Sequence, residues 1–285
     1  MSNLESSLPR SYVVSTVAIA VLSTASSLLG LFRPGHYGED PVLLEHYLAE
    51  DLAILLIGVP VLLGGLWYAR AGSLRGRIVW LGALAYMAYM WVSTGLAAPF
   101  NEFFLGYVVL FSLSLFTLVG GLVTTDAEAV SRELEGSVSR TLYGGALVLI
   151  ALALAALWLG DLLPPTLAGE TPTLIEEIGE TATVSHFIDL SVVVPALALA
   201  GLWLYRGRTW GYVVAGVLLV MGAVLAPTLT AITIAQIYWG SITVPGFAVV
   251  LTIVPAVVVF VFAATYVREL SGASADPAGG TGQPT

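Results

Sequence analysis

The stretch VSHFIDLSVVVPALALAGLWLYRGRTWG, residues 184–211, is apolar except near its two ends. His186 and Asp189 lie near its start, and Arg206 and Arg208 lie near its end. A helix from Asp189 to Arg206 would be roughly 26 Å long at 1.5 Å per residue, which is close to the thickness of the bilayer hydrocarbon. The stretch therefore predicts a helix that spans a membrane, with a charge at each end.

The whole chain has the same character. Its 285 residues are 58% hydrophobic and 10% charged, and its mean hydropathy is +0.92, whereas about a quarter of the residues of a soluble domain are charged. We predict an all-α membrane protein of the cell membrane, with the lipid bilayer as its partner. Its eight transmembrane helices are predicted at 12–32, 48–69, 78–98, 103–123, 141–160, 187–205, 209–235 and 245–267.

The arginines indicate the orientation of this eight-helix arrangement. One side would carry Arg10, Arg70, Arg75, Arg77, Arg132, Arg140, Arg206, Arg208 and Arg268. The other side would carry Arg33 and most of the acidic residues of the loops. Because positively charged loops stay in the cytoplasm, we expect both termini to be cytoplasmic and the outer surface to be acidic.

Two parts of the chain share an order of residues, which predicts an internal repeat. Asp51, Pro60, Trp67, Arg70 and Arg77 are matched by Asp189, Pro195, Trp203, Arg206 and Arg208. We predict two tandem four-helix units, 1–130 and 131–268, which point the same way about an axis along the membrane normal. A disordered cytoplasmic tail is expected at 269–285. The alternative is a chance likeness between apolar helices.

Composition excludes several classes of function. The chain has no cysteine, so disulfides, thiol redox chemistry and thiolate metal sites are excluded. All ten basic residues are arginine and the net charge is −9, which argues against a nucleic-acid partner. An acidic chain without lysine is also typical of a halophilic archaeon.

Histidines and acids near the outer helix ends are the candidate site. His46 and Glu50 are spaced i, i+4, and His186 and Asp189 are spaced i, i+3, so each pair shares a helix face. If the second and sixth helices meet, these four side chains would form a ligand set for a divalent metal such as Zn²⁺. The full candidate cluster is His46, Glu50, Asp51, Asn101, Glu102, His186 and Asp189. The alternative is that the acids only complement helix dipoles.

The predicted helix interiors are poor in ionisable residues, which disfavours a proton-driven transporter. They do contain Pro60, Pro195, Pro227 and Pro255. Bends at prolines in facing helices would open a cavity, although proline is also ordinary in membrane helices.

Two motifs carry a resemblance to a known family. FNEFFLGYVVLFSLSLF at 100–116 and SHFIDLSVVVP at 185–195 resemble a family of uncharacterised polytopic integral membrane proteins of bacteria and archaea. The resemblance covers most of the second to eighth helices and implies one continuous membrane domain, without an activity. In that family an apolar residue commonly follows the asparagine that matches Asn101, whereas this chain has Glu102, which weakens a catalytic role for Glu102.

Three functions stay open at this point. The first is binding or permeation of a small or lipid-like solute. The second is a metal-dependent membrane enzyme that works at the outer face through His46, His186 and the neighbouring carboxylates. The third is a structural subunit of a larger complex, and the chain could also form a homo-oligomer.

Overall fold

A computed structural model gives the structure of the protein and describes residues 8–38, 41–239 and 246–271. The regular secondary structure of these residues is entirely helical. The α-helices are α1 (Arg10–Phe32), α2 (Pro41–Ala53), α3 (Val59–Arg70), α4 (Leu74–Ala97), α5 (Phe104–Val123), α6 (Ala127–Leu134), α7 (Arg140–Ala168), α8 (Thr173–Ile178), α9 (Ala182–Ile188), α10 (Val194–Tyr205), α11 (Thr209–Trp239) and α12 (Gly246–Arg268).

Seven helical segments are long and apolar enough to cross a membrane. They are Arg10–Phe32, Leu43–Arg70, Leu74–Ala97, Phe104–Val123, Arg140–Ala168, Ala182–Tyr205 and Thr209–Tyr238. The membrane-protein class and seven of the eight predicted segments are therefore confirmed by length and composition. The eighth stays a prediction: α12 is helical, but its apolar part within the described side chains is the shorter Ile253–Arg268. Most of the predicted tail, 272–285, lies outside the described residues.

Two of the membrane segments contain a π-helical turn. The first π turn is Ile54–Gly58, between α2 and α3, and the second is Asp189–Val193, between α9 and α10. Each π turn is followed directly by a Val–Pro pair, which starts the next α-helix. Proline has no N–H to donate and its ring crowds the preceding turn, and the wider π turn accommodates both. The segment therefore continues through the proline as one span.

The centre of the bundle is a parallel pair, α4 and α11. Ile78 lies against Gly216, and further along Gly82 lies against Val220. The α3 and α5 helices pack on α4, while α2, α10 and α12 pack on α11. The α7 helix packs mainly on α10, so most of its leucines face outward. In a membrane those leucines contact lipid.

Two arginines at the start of α4 donate hydrogen bonds to backbone carbonyls at the C-terminal ends of other helices. Arg75 donates to the carbonyl oxygens of Val267 and Leu270 at the end of α12, at 2.6 to 3.1 Å. Arg77 donates to Gly121 O at the end of α5, at 3.0 Å. A cation at a helix C-terminus satisfies carbonyls that have no partner within the helix. The start of α4 and the ends of α5 and α12 therefore lie at one end of the bundle.

The same end holds the start of α1, since Tyr12 packs against Trp80 with ring centroids 6.4 Å apart. The α1 helix therefore begins, and the α12 helix ends, on the same side of the bundle. That this side is cytoplasmic stays a prediction.

The α7 and α10 helices cross with their backbones in contact. A Cβ at Gly144 would lie 2.8 Å from Gly201 O, and a Cβ at Gly201 would lie 2.6 Å from Gly144 O. At neighbouring Gly145 a Cβ would meet nothing within 4 Å. Small residues at such crossings allow membrane helices to pack closely.

We expect Gly201→Ala to lower the stability of the protein by about 1–3 kcal/mol, because the added methyl group must push the two backbones apart. The matched control is Gly145→Ala, which adds the same methyl group on open space and should leave stability unchanged or slightly higher. Thermal unfolding in detergent, followed by circular dichroism, measures both. Equal melting temperatures for the two variants would contradict the close crossing.

Candidate functional site

The first candidate cluster lies near the start of the second membrane segment. His46 and Glu50 are in contact, with Nε2 and Oε1 3.1 Å apart, as their i, i+4 spacing suggests. Asp51 is the most buried of the three, only 2% exposed. The α2 helix begins at Pro41, ten residues before Asp51. Asp51 therefore does not lie at a helix N-terminus, and the helix-dipole explanation does not apply to it.

Asp51 is held by groups from α1 and the loop after it. The Tyr37 hydroxyl donates to Asp51 Oδ2 at 2.9 Å, and the Ser27 hydroxyl lies beside the same carboxylate. Gly30 makes this approach possible, since a Cβ at Gly30 would overlap Asp51 Oδ2. Tyr37 in turn stacks on Tyr47, with ring centroids 4.6 Å apart. The carboxylate is thus fixed between α1 and α2 at a defined position.

Asn101 belongs to a neighbouring network that orders the start of α5. Its Oδ1 accepts a hydrogen bond from Phe103 N at 2.9 Å. Its Nδ2 donates to the backbone oxygen of His36 and to the Tyr107 hydroxyl, both at 3.2 Å. The hydrogen of the Tyr107 hydroxyl is then free to point to Nε2 of His36, 3.0 Å away. Asn101 therefore joins the loop after α1 to α5.

Glu102 belongs to an exposed ion pair and does not line a buried site. Its Oε2 lies 2.6 Å from Arg33 Nη1, and the Arg33 guanidinium lowers the pKa of the Glu102 carboxyl. The Arg33 side chain is 48% exposed and the Glu102 side chain is 77% exposed. The pair fastens the loop after α1 to the start of α5 at the surface.

The second cluster surrounds His186. His186 Nδ1 lies 2.7 Å from the backbone oxygen of Ala182, and Nε2 lies 3.0 Å from Asp161 Oδ2. The Trp158 ring packs on the imidazole, with centroids 4.5 Å apart. Trp158 Nε1 also donates to Asp189 Oδ2 at 2.8 Å. One aromatic side chain of α7 therefore contacts both residues that the sequence singles out in this segment.

Both ring nitrogens of His186 are engaged. A carbonyl oxygen only accepts, so Nδ1 carries a hydrogen. Nε2 faces the Asp161 carboxyl group, so each ring nitrogen has a partner within the protein.

The structure does not assemble the predicted metal ligands into one group. The α2 helix packs on α1 and α11, whereas α9 packs on α4 and α8. Within residues 8–38, 41–239 and 246–271, no three His, Asp or Glu side chains form a group that could hold a metal ion. His46 and Glu50 belong to one cluster, and His186 and Asp189 belong to another.

Tyr89 of α4 belongs to the second cluster. Its hydroxyl lies beside the Asp189 carboxylate, and the charge of Glu50 in the first cluster also acts on it. The contacts that Tyr89, Tyr37, Trp158 and Asp161 make with these side chains were not predicted from the sequence. Only Trp158 and Asp161 had a usable signal, because their i, i+3 spacing places them on one face of α7.

A cleft of 460 Å³ opens beside the His186 cluster. Its walls are mainly apolar, and the polar atoms are contributed by three side chains. The lining residues are Leu162, Thr183, His186, Phe187, Leu190 and Ser191. The cleft is broadly open on one side, where Phe187 is exposed.

No protein-family model, curated protein or solved structure matches this chain. The resemblance of the two motifs to a family of membrane proteins stays an expectation, and function must be argued from the site.

We expect His36 to make the protein less stable in mild acid. Burial lowers the pKa of His36 below its usual 6.5, and the charge of Arg33 acts in the same direction. Below pH 6.5 the unfolded state therefore binds more protons than the folded state. The contribution is fully present above pH 6.5 and decreases as the pH falls toward the lower, folded-state pKa.

The matched variant is His36→Gln, which can still bond Tyr107 but does not titrate. Melting temperatures of both proteins, measured between about pH 8 and about pH 5, should diverge in acid, with the variant losing less. Parallel curves would contradict the assignment of this pH dependence to His36.

Trp158→Phe should cost about 1–3 kcal/mol of stability, because the buried Asp189 carboxylate loses a hydrogen-bond donor that water cannot replace. The test is a double-mutant cycle on thermal unfolding. In an Asp189→Leu background the same substitution should cost much less, since no acceptor is left without its donor. An unchanged cost in that background would show that Trp158 acts through packing alone.

Proposed function

We propose that this integral membrane protein binds a lipid-like solute in the cleft beside His186. The observation that carries the proposal is an apolar cleft of 460 Å³ whose lining includes His186, the histidine that is paired with Asp161. Pockets for small molecules typically measure about 300–1,000 Å³ and are apolar with a few placed polar groups.

The position of the cleft favours an amphiphile over a polar solute. Phe187, which lines the cleft, is 72% exposed on the side of the bundle, and in a membrane such a surface meets acyl chains. An apolar chain could enter sideways from the bilayer. Its polar group would then meet Thr183, His186 and Ser191, the polar residues of the lining.

The proposal also includes eight membrane-spanning helices arranged as two repeats. Tyr266 donates to Tyr212 O at 2.7 Å, and Val259 lies against Gly222, so α12 runs antiparallel to α11 as an eighth crossing would. The parallel α4–α11 pair is what two units pointing the same way require. The left-handed glycines Gly72 and Gly207, each in the turn before one of these helices, support the repeat.

Orientation and location complete the proposal. We place both termini in the cytoplasm and the cleft in the outer half of the cell membrane, on the basis of the arginine distribution.

Photolabelling with a diazirine-bearing twelve-carbon alcohol tests the binding proposal in detergent-purified protein. We expect a saturable component of labelling that maps to the peptide containing residues 183–191 and is competed by the unlabelled alcohol. Leu190→Trp fills the cleft and should weaken the apparent affinity by at least about tenfold, which requires a loss of only about 1.4 kcal/mol.

The matched control is Leu149→Trp. Leu149 lines a second apolar cleft between α7 and α12, near the other end of the bundle. This variant should label like the wild type. Loss of labelling in both variants, or in neither, would overturn the assignment of the solute to the His186 cleft.

A further inference from the structure

We propose that the cleft beside His186 selects amphiphiles whose head group is a protonated primary amine. This inference rests on the proposed function, since it names the class of solute that the same cleft would hold.

The first argument is the direction of the hydrogen bonds in the cleft lining. The Thr183 hydroxyl donates to the backbone oxygen of Glu180 at 2.6 Å, and the Ser191 hydroxyl donates to that of Phe187 at 2.5 Å. A hydroxyl has one hydrogen to donate and two lone pairs that accept. Thr183 and Ser191 can therefore still accept hydrogen bonds from a solute, but neither has a hydrogen left to donate.

His186, the third polar residue of the lining, adds no donor to the cleft. The hydrogen on Nδ1 is directed to the backbone oxygen of Ala182, and Nε2 faces the Asp161 carboxyl group. The polar lining thus offers acceptors only. An ammonium group has three N–H donors and no acceptor, whereas an ionised carboxylate only accepts. The lining complements an ammonium group and leaves a carboxylate without a partner.

The second argument is the charge around the start of α9. Glu180 lies directly before α9 and is exposed, and α8, which packs on α9, carries the exposed Glu176 and Glu177. The base of this region is His186, which is already paired with Asp161. These acids attract a cationic head group and repel an anionic one.

The arginines are too far away to reverse this charge. Arg206 lies roughly 30 Å from His186 along its own segment, and Arg140 lies roughly 30 Å from Asp161 along α7. Arg33 is paired with Glu102. The other arginines lie at the end of the bundle that holds the start of α4, and they are Arg10, Arg70, Arg75, Arg77, Arg132, Arg208 and Arg268.

The position of Thr183 places the head group near these acids. Thr183 lies in the first turn of α9, whereas Ser191 lies roughly 12 Å farther along the segment. Phe187 is spaced i, i+4 from Thr183 and also lines the cleft, so its exposed ring lies on the same face. An aromatic ring beside a cation is a further favourable contact. The alkyl chain would then lie along Phe187 and Leu190.

The experiment extends the photolabelling of the peptide that contains residues 183–191 to four competitors with the same twelve-carbon chain. They are dodecylammonium, dodecyltrimethylammonium, dodecanol and dodecanoate, each added to the full chain in a non-ionic detergent. At about pH 8 the primary amine is protonated and the carboxylate is ionised. Competitor concentrations are expressed as mole fractions of the micelle, so that different partitioning into detergent does not imitate selectivity.

We expect dodecylammonium to compete at least about tenfold more strongly than dodecanol, because hydrogen bonds from a charged donor are the stronger ones. Dodecanoate should compete at least about tenfold more weakly than dodecanol, since it finds no donor and meets acidic side chains. Dodecyltrimethylammonium has the charge without the N–H donors, so it should compete more weakly than dodecylammonium.

One variant and one matched control locate the head group. Thr183→Val keeps the shape of the side chain and removes the accepting oxygen. It should reduce the ratio of the apparent affinities for dodecylammonium and dodecanol by at least about threefold. Thr233→Val is the control, because the Thr233 hydroxyl also bonds a backbone oxygen of its own helix, that of Leu229 on α11, and Thr233 does not line the cleft. This variant should keep the ratio of the wild type.

Equal competition by dodecylammonium and dodecanoate would overturn the proposal. So would equal competition by the two cations, or a ratio that is unchanged in Thr183→Val or reduced equally in Thr233→Val. In each of these cases, saturable labelling that Leu190→Trp weakens would leave the solute proposal standing. Labelling that is not saturable at all would overturn the proposed function, and this inference with it.

Discussion

A carboxyl group inside a membrane bundle must find its hydrogen-bond donors within the protein, because the surrounding lipid offers none. This constraint determines how the half of the bundle that carries Asp51 and Asp189 is connected. Asp51 takes a hydrogen bond from Tyr37 and Asp189 takes one from Trp158. In each case an aromatic donor from a different segment reaches across to the acid. The acids therefore join helices that apolar packing alone would leave free to slide.

The membrane class and most helical segments could be predicted because hydropathy is a local property of the chain. The distance of Asp51 and Asp189 from the starts of their helices was harder to predict. The predicted spans begin at residues 48 and 187, which places Asp51 and Asp189 near helix starts, where the dipole would explain them. The pair Asp40–Pro41 does indicate an earlier start for the second span, and the helical segments begin at Pro41 and Ala182. Where a helix begins depends on turns and caps outside its apolar stretch, and polar residues within a span are read too easily as its end.

The same limit applies to the candidate site. The contact between His46 and Glu50 follows from their spacing on one helix. The metal set also needed the second and sixth membrane segments to meet, and a single sequence does not say which helices are neighbours. The partners of His186 are Asp161 and Trp158 on α7, and these contacts are a property of the tertiary fold.

The position of Arg75 has a consequence for assembly. Arg75 and the carbonyls that it binds are separated by 192 to 195 residues. During synthesis this arginine enters the membrane region long before α12 exists, and its guanidinium must then be hydrated or paired with lipid phosphate. The carbonyls at the end of α12 become available only after α12 has been made. The start of α4 therefore acquires its partner late in synthesis.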